Sequence, residues 1–455
     1  MISETFVSNK SEPKEAAFEI SKKASKSNID PDFAFFYSTL KYHGNFDCML
    51  GIIKNTIGDI PQIGGTVDGF ITPSELRADG AVLVLCEDST VNVEAIPAKD
   101  LSVKDSIKQL SEKIEVEDGA VLLHFPLFYI SGKGTFLKTV AKGKYYDLRC
   151  RGSQRSKIKY AGKFSNYLNK NSIFYPPSVV LSQFSNKLNL PVIGINLGHS
   201  GWMFDSPNVF CNFKNVKNRI AALVLDKKGV NTIYDDIFPS KENVSLRNTN
   251  NNTNDNNQFK ILREFESLKK DNILISLDGK PPMEAINKVI NILKIDEEEL
   301  EESFEKGSLS GESPYILFFR NEETKGLSFI GVSDVYPFDF YPSYMNFEDF
   351  SNYVFFGYEP STGKFLDYVS SLQHLEDEES FTFSIIDVAS ISTFGDNVRK
   401  YVNEFEKTSN KNYFSIFSMS PSVYLPKKYW NYDYLPEVKE NILFAGAGAN
   451  ISLEI

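Results

Sequence analysis

Two stretches in the first half of the chain spell out the same series of elements. In the first, an apolar strand, Phe33-Ala34-Phe35-Phe36-Tyr37-Ser38, leads to a helix near Asp47 to Thr56 with Met49, Leu50, Ile53 and Ile57 on one face. Pro61-Gln62-Ile63-Gly64 follows, then a strand from Ala81 to Leu85, then Val91-Asn92-Val93 running to Pro97. In the second, the strand is Ala120 to Phe125 and the helix about Ser178 to Asn189. Pro191-Val192-Ile193-Gly194, a strand from Ala221 to Leu225, and Val230-Asn231-Thr232-Ile233 leading to Pro239 complete the copy. Chance is a poor source of so many matched elements in one order. Each copy mixes a helical crossover with hairpins. The expected fold class is therefore α+β (mixed α/β), with duplicated β-α-β-based units forming mixed sheets covered by helices. Pro61 and Pro191 should then occupy equivalent positions in units 33–97 and 120–239.

The sharpest compositional break is Asn248 to Gln258, NTNNNTNDNNQ. It has no apolar side chain to bury and reads as a linker. The expected organisation is a polar N-terminal tail over 1–29, a domain over 30–247, the linker over 248–258 and a second domain over 259–455. Within the first domain, 129–177 looks like an insertion. Between Lys133 and Lys170 stand eleven basic residues against one acid, Asp147, so this stretch carries +10 in a chain of net charge −11. Phe136, Tyr145, Tyr146, Tyr160, Phe164 and Tyr167 are interleaved with the cations. Stacking rings beside cations suit an anionic partner such as RNA. The alternative is that the stretch lies against the acidic body of the protein.

In the second half, Phe259 to Glu266 and Asn272 to Leu277 read as a hairpin, with Asp278-Gly279 as a turn. Pro281 and Pro282 open a helix, where a missing N–H is no loss. The acidic run Asp296 to Glu302 reads as a solvated helix face. Strands are expected at Tyr315 to Phe319, Leu327 to Val332, Phe381 to Val388, Tyr413 to Met419 and Asn441 to Ala445, with a helix over Asn397 to Lys407. The last strand–helix–strand run echoes the N-terminal units more faintly.

Several chemistries are disfavoured. Gly357 to Phe365 resembles a phosphate loop, but its glycines are one residue too far apart and Phe365 replaces the metal-binding hydroxyl. In Gly446-Ala447-Gly448 the third glycine of a dinucleotide fingerprint is replaced by Ile451. Gly198-His199-Ser200-Gly201-Trp202 lacks the spacing of a nucleophile elbow. The four histidines are scattered, no cysteines stand in C-x-x-C spacing, and no metal or cofactor is expected. His124, inside an apolar strand, reads as a satisfied core residue. No apolar run approaches a membrane span, and the polar, lysine-rich start lacks an apolar signal core. A cytoplasmic location without a membrane partner is expected.

What chemistry the chain offers lies near its paired glycines. Gly64-Gly65 and Gly194 sit where strands begin, and glycine there lets backbone approach either a ligand or another strand. Thr66, Asp68, Asn196, His199 and Ser200 add polar groups nearby, and Trp202 could close an apolar wall. N–H groups beside the glycines suit a carboxylate and Asp68 suits an amine. An amino-acid-like ligand fits both.

Gly64-Gly65-Thr66-Val67-Asp68-Gly69-Phe70-Ile71 followed by Gly80-Ala81-Val82-Leu83-Val84 resembles the N-terminal part of FIST sensory domains. Pro191-Val192-Ile193-Gly194, Val224-Leu225 and Gly229-Val230 leading to Pro239 resemble its later portion. Ile275-Ser276-Leu277-Asp278-Gly279-Lys280-Pro281-Pro282 is similar to the L-D-G-x-P-A stretch of the FIST C-terminal part, Ile416-Phe417-Ser418-Met419 to its F-S-C strand and Leu443-Phe444-Ala445-Gly446 to its A-G-F segment. Met419 replaces the family's Cys, and Ala449-Asn450 stand in place of a Gly-Glu pair. The resemblance implies a FIST N-like domain over 30–247, a FIST C-like domain over 259–455 and a sensor for small ligands such as amino acids, with a signalling protein as partner. An enzyme using the loop 196–202 and a protein-interaction scaffold are the alternatives.

Overall fold

The computed structural model describes residues 1–99, 103–126, 129–130, 132–175, 177, 180–181, 184, 188–197, 207–236, 260–293, 316–321, 327–331, 338–342, 347, 350–358, 381–387, 412–418, 421–426, 442–445 and 449–455. The chain opens with strand β1 (Ile2–Ser8) and helix α1 (Pro13–Ala24). A first unit follows: β2 (Phe33–Ser38), helix α2 (Phe46–Ile57), β3 (Gln62–Thr66), β4 (Phe70–Thr72), β5 (Glu75–Arg77), β6 (Ala81–Glu87) and β7 (Asn92–Pro97). After helix α3 (Val103–Lys113) comes a second: β8 (Gly119–Pro126), helices α4 (Lys133–Cys150) and α5 (Gln154–Lys170), β9 (Val192–Leu197), β10 (Val209–Cys211), β11 (Lys214–Lys217), β12 (Ala221–Asp226) and β13 (Asn231–Asp236). An intervening group holds β14 (Lys260–Lys270), β15 (Ile273–Leu277), α6 (Pro282–Leu293), β16 (Ile316–Asn321), β17 (Leu327–Gly331), β18 (Tyr341–Pro342) and β19 (Phe350–Tyr358). The last unit is β20 (Thr382–Asp387), β21 (Tyr413–Ser418), β22 (Ser422–Leu425), β23 (Ile442–Ala445) and β24 (Ala449–Glu454).

Among the described residues, three of the four sheets share one plan. Sheet I runs β1-β6-β2-β3-β10-β11, sheet II β7-β12-β8-β9-β22-β23 and sheet III β13-β24-β20-β21-β4-β5. In each, a parallel pair joined by a crossover (β2/β3, β8/β9, β20/β21) is flanked by an antiparallel strand. The registers agree as well. Ala34 N donates to Pro61 O, Val121 N to Pro191 O and Thr382 N to Asn412 O, each at 2.9 Å. Two sheet units were expected and three are found. The third is faint in sequence because Asn412 stands in place of the proline and Ser415 in place of Gly64 and Gly194.

The units exchange strands in a cycle. Hairpin β10–β11 of the second unit extends sheet I, β22–β23 of the third extends sheet II, and β4–β5 of the first extends sheet III. The trailing strands β7 and β13 also cross, to β12 and β24. β1 takes the corresponding edge beside β6. Residues 1–29, expected as a polar tail, therefore supply a strand and a helix. Lysines on their outer side give them a polar composition, while Phe6, Ala16, Ala17 and Ile20 are buried. The expected linker at 248–258 lies outside the described residues, and strands from both sides of it share sheets II and III.

This architecture explains why the central strands read as unbroken apolar runs: both of their faces are covered. The inner faces meet in one core that draws on all three sheets, including Phe35, Tyr37, Leu122, Ile193, Phe383 and Phe414. Outside sheet I, α1 and α2 bury Ile20, Met49, Leu50 and Ile53 against Phe36, Leu83 and Phe210. Outside sheet II, α3 lays Ile107 and Leu110 against Leu123 and Val224. The insertion 129–177 is largely a helical hairpin, α4–α5. Its Phe164 and Leu168 pack on Phe340 and on Ile273 and Ile275 of the fourth sheet, whose order is β17-β16-β19-β14-β15-β18. No helix among the described residues is long and apolar enough to cross a membrane.

Candidate functional site

The C-terminal ends of the parallel strands β3, β9 and β21 come together at one end of the central core. Gly65 of β3 lies against Leu197 of β9, since a Cβ on Gly65 would stand 2.2 Å from Leu197 Cδ1 and 2.6 Å from the carbonyl oxygen of Asn208. Thr66 Oγ1 accepts from Asn208 N at 2.8 Å, and Thr66 N donates to Asn208 O at 3.0 Å. The carbonyl of Asn196 accepts from Ser418 Oγ at 2.8 Å. Phe417 N donates to Gly69 O at 3.1 Å, returning to the first unit. Each unit thus touches the next at this end.

The expected site residues divide accordingly. Gly65, Thr66 and Asn196 are gathered here, all buried, and Asp68 stands beside them half-buried. His199, Ser200 and Trp202 lie outside the described residues. The three glycines meet protein where a side chain would project. A Cβ on Gly64 would fall 1.8 Å from Phe36 O, its parallel-strand neighbour, and one on Gly194 would fall 2.2 Å from Ser422 Oγ of the third unit. Of the two uses expected for these glycines, close approach of strands accounts for the observed packing.

A polar pair that sequence reasoning did not single out lies in the core beneath this end. Tyr37, opposite Gly65 in the parallel ladder, reaches His124, opposite Ile195. The Tyr37 hydroxyl and His124 Nε2 are 2.7 Å apart, both residues are fully buried, and the rings stack at 5.7 Å. Phe383 and Phe414 of the third unit close on Tyr37 at 6.2 and 5.8 Å. Burial drives the His124 imidazole down to about 3, so it is neutral at ordinary pH, and burial also holds the Tyr37 phenol well above its usual range. A backbone hydrogen bond to Leu122 opposes this shift without reversing it. The pair can relay a hydrogen bond between neutral partners. No alternation or motif marks it, because its members are separated by 87 positions and each sits in an apolar strand.

Among the described residues, no cluster of His, Cys, Asp or Glu could hold a metal ion. The four cysteines are free. Burial pushes the Cys150 and Cys211 thiols up to about 11 and about 12, far from the thiolate needed for nucleophilic chemistry.

Residues 252–362 match the AF0772-like protein C-terminal domain. An uncharacterized protein of Archaeoglobus fulgidus is 25% identical over 297 residues, covering 62% of this chain and 73% of that protein. A structure of cyanuric acid hydrolase, described as an evolutionary innovation by structural concatenation, aligns at a TM-score of 0.23 and 9% identity over 54% of this chain and 74% of its own.

Proposed function

We propose that the protein is a cytoplasmic small-molecule sensor of FIST type, which binds an amino-acid-like ligand at the end of the core where β3, β9 and β21 terminate. One observation carries this reading: polar strand ends of two units, about 130 residues apart in sequence, meet there and are joined by Ser418 of a third. Open sheets with parallel strands bind ligands outside the carboxyl ends of those strands, where side chains on loops converge over a rigid base. Asp68 supplies a carboxylate at this rim for the ligand's amine.

The test is a thermal-shift screen of the purified protein against amino acids and common metabolites. A ligand at one hundred times its dissociation constant should add about 2.7 kcal/mol. Asp68→Asn keeps the shape, removes one charge and should weaken the bound compound by more than any change in the melting temperature of the free protein accounts for. Unchanged affinity in that variant would remove Asp68 from the site. Turnover of the bound compound would favour an enzyme using the 196–202 loop, and a screen without a single shift would favour a protein-binding scaffold.

A further inference from the structure

The hairpin α4–α5 carries eleven basic residues against one acid, and its outer surface is little neutralised by ion pairs among the described residues. Of its eleven basic residues, Arg151 alone forms an ion pair among the described residues, 3.3 Å from Asp339. Among the described residues, no other carboxylate of the acidic body pairs with it. All five cations within α4 itself are exposed, and its one carboxylate, Asp147, is turned inward beside the Asp339 backbone N–H.

The exposed face of α4 also carries an apolar stripe. Leu137 and Leu148 are 66% and 60% exposed, and Tyr145 is 47% exposed. Together with exposed Ala141 they lie three or four residues apart, so they form one ridge along the helix. At the helical period, Lys133 and Lys144 fall on one side of this ridge. Lys138, Lys142 and Arg149 fall on the other. The opposite face of the helix, with Thr139, Gly143, Asp147 and Cys150, is buried. Beside it, α5 presents exposed Arg155, Lys159, Lys163 and Lys170 at a similar spacing.

We propose that α4 is an interfacial helix that lays this ridge on an anionic lipid bilayer. A helix resting in a bilayer interface buries an aliphatic ridge among acyl chains, while lysines and arginines on both flanks extend sideways to lipid phosphates. Both flanks are cationic here, which suits a plane of headgroups extending on either side of the helix. Nucleic acid would use the cations but has no use for two exposed leucines. The single exposed ring of this ridge, Tyr145, already has the Arg149 guanidinium 5.5 Å from its centre. A helix that lies in the interface needs no apolar run long enough to span the bilayer.

The experiment is co-sedimentation of the full chain with phosphatidylcholine vesicles, with and without phosphatidylserine. Binding is expected only to the anionic vesicles, and it should weaken as salt rises. The double variant Leu137→Ser, Leu148→Ser should lower the apparent affinity at least about tenfold at unchanged melting temperature, since it removes the buried aliphatic groups and no charge. Lys138→Glu with Arg149→Glu should lower it further. Absence of anionic-vesicle binding would overturn the proposal, as would binding that ignores the leucines. Retention of polyuridylate that depends on the lysines alone, without vesicle binding, would assign the surface to nucleic acid instead.

Discussion

Tyr37 and His124 belong to different units, and each is the other's hydrogen-bond partner inside an apolar core. Replacing Tyr37 by Phe leaves the ring stack in place but strands His124 Nε2, which should cost about 1–3 kcal/mol in urea unfolding. A variant as stable as the parent would mean that the bond contributes nothing net. The same histidine makes stability depend on pH. In the unfolded chain it takes its proton near pH 6.5, whereas burial holds it down to about 3 in the fold. Between these values the unfolded state binds the extra proton, so stability falls as pH drops from about 6.5 towards 3, by about 1.4 kcal/mol per unit from this group. Above that window it contributes no slope. His124→Gln should flatten the dependence by that amount, measured as unfolding free energy against pH. An unchanged slope would mean that His124 is protonated in the fold.

At the scale of elements, the glycines at the strand ends are where one unit admits another, and they should respond differently to substitution. The nearest obstacles to a Cβ on Gly194 are side-chain atoms, Ser422 Oγ at 2.2 Å and Leu181 Cδ1 at 2.8 Å. Gly194→Ala should therefore destabilise by about 1–3 kcal/mol, and Ser422→Ala should restore much of the loss. Gly65 meets the Asn208 carbonyl at 2.6 Å besides Leu197, so Leu197→Ala should not rescue Gly65→Ala. Equal rescue at both positions, by chemical denaturation, would contradict this reading. These contacts also show what could be read beforehand. Helix α2 was legible from Met49, Leu50 and Ile53 on one face, and the turn after β15 from Asp278-Gly279, both at positive φ. The paired Pro61 and Pro191 marked equivalent strand starts. By contrast, β4, β5 and β10 are three residues long, and β4 and β10 pair with strands far away in sequence, so no local pattern announces them. For the candidate site, Thr66 and Asn196 were identifiable as polar residues beside glycines. Ser418 was not, because its role depends on β21 reaching β9.

At the scale of the whole molecule, the cyclic exchange makes the three sheets interdependent. Sheet I needs β10–β11 from the second unit, sheet II needs β7 from the first and β22–β23 from the third, and sheet III needs β4–β5 and β13 from the first and second. A cut at the asparagine tract separates β13 from β24, β4 from β21 and β9 from β22. Each cut edge exposes unpaired backbone groups and half of the shared core, which an isolated fragment cannot cover. Residues 1–247 alone should accordingly lack a cooperative thermal transition, although the fragment contains both units that the sequence makes most alike. The full chain should melt in one transition by calorimetry, and mixing 1–247 with 248–455 during refolding should recover it. A fragment 1–247 that melts cooperatively near the temperature of the intact protein would show that the first two units stand on their own. The exchanged strands would then be attachments to an independent domain, and the end of the core where Thr66, Asn196 and Ser418 meet would lie at a domain junction.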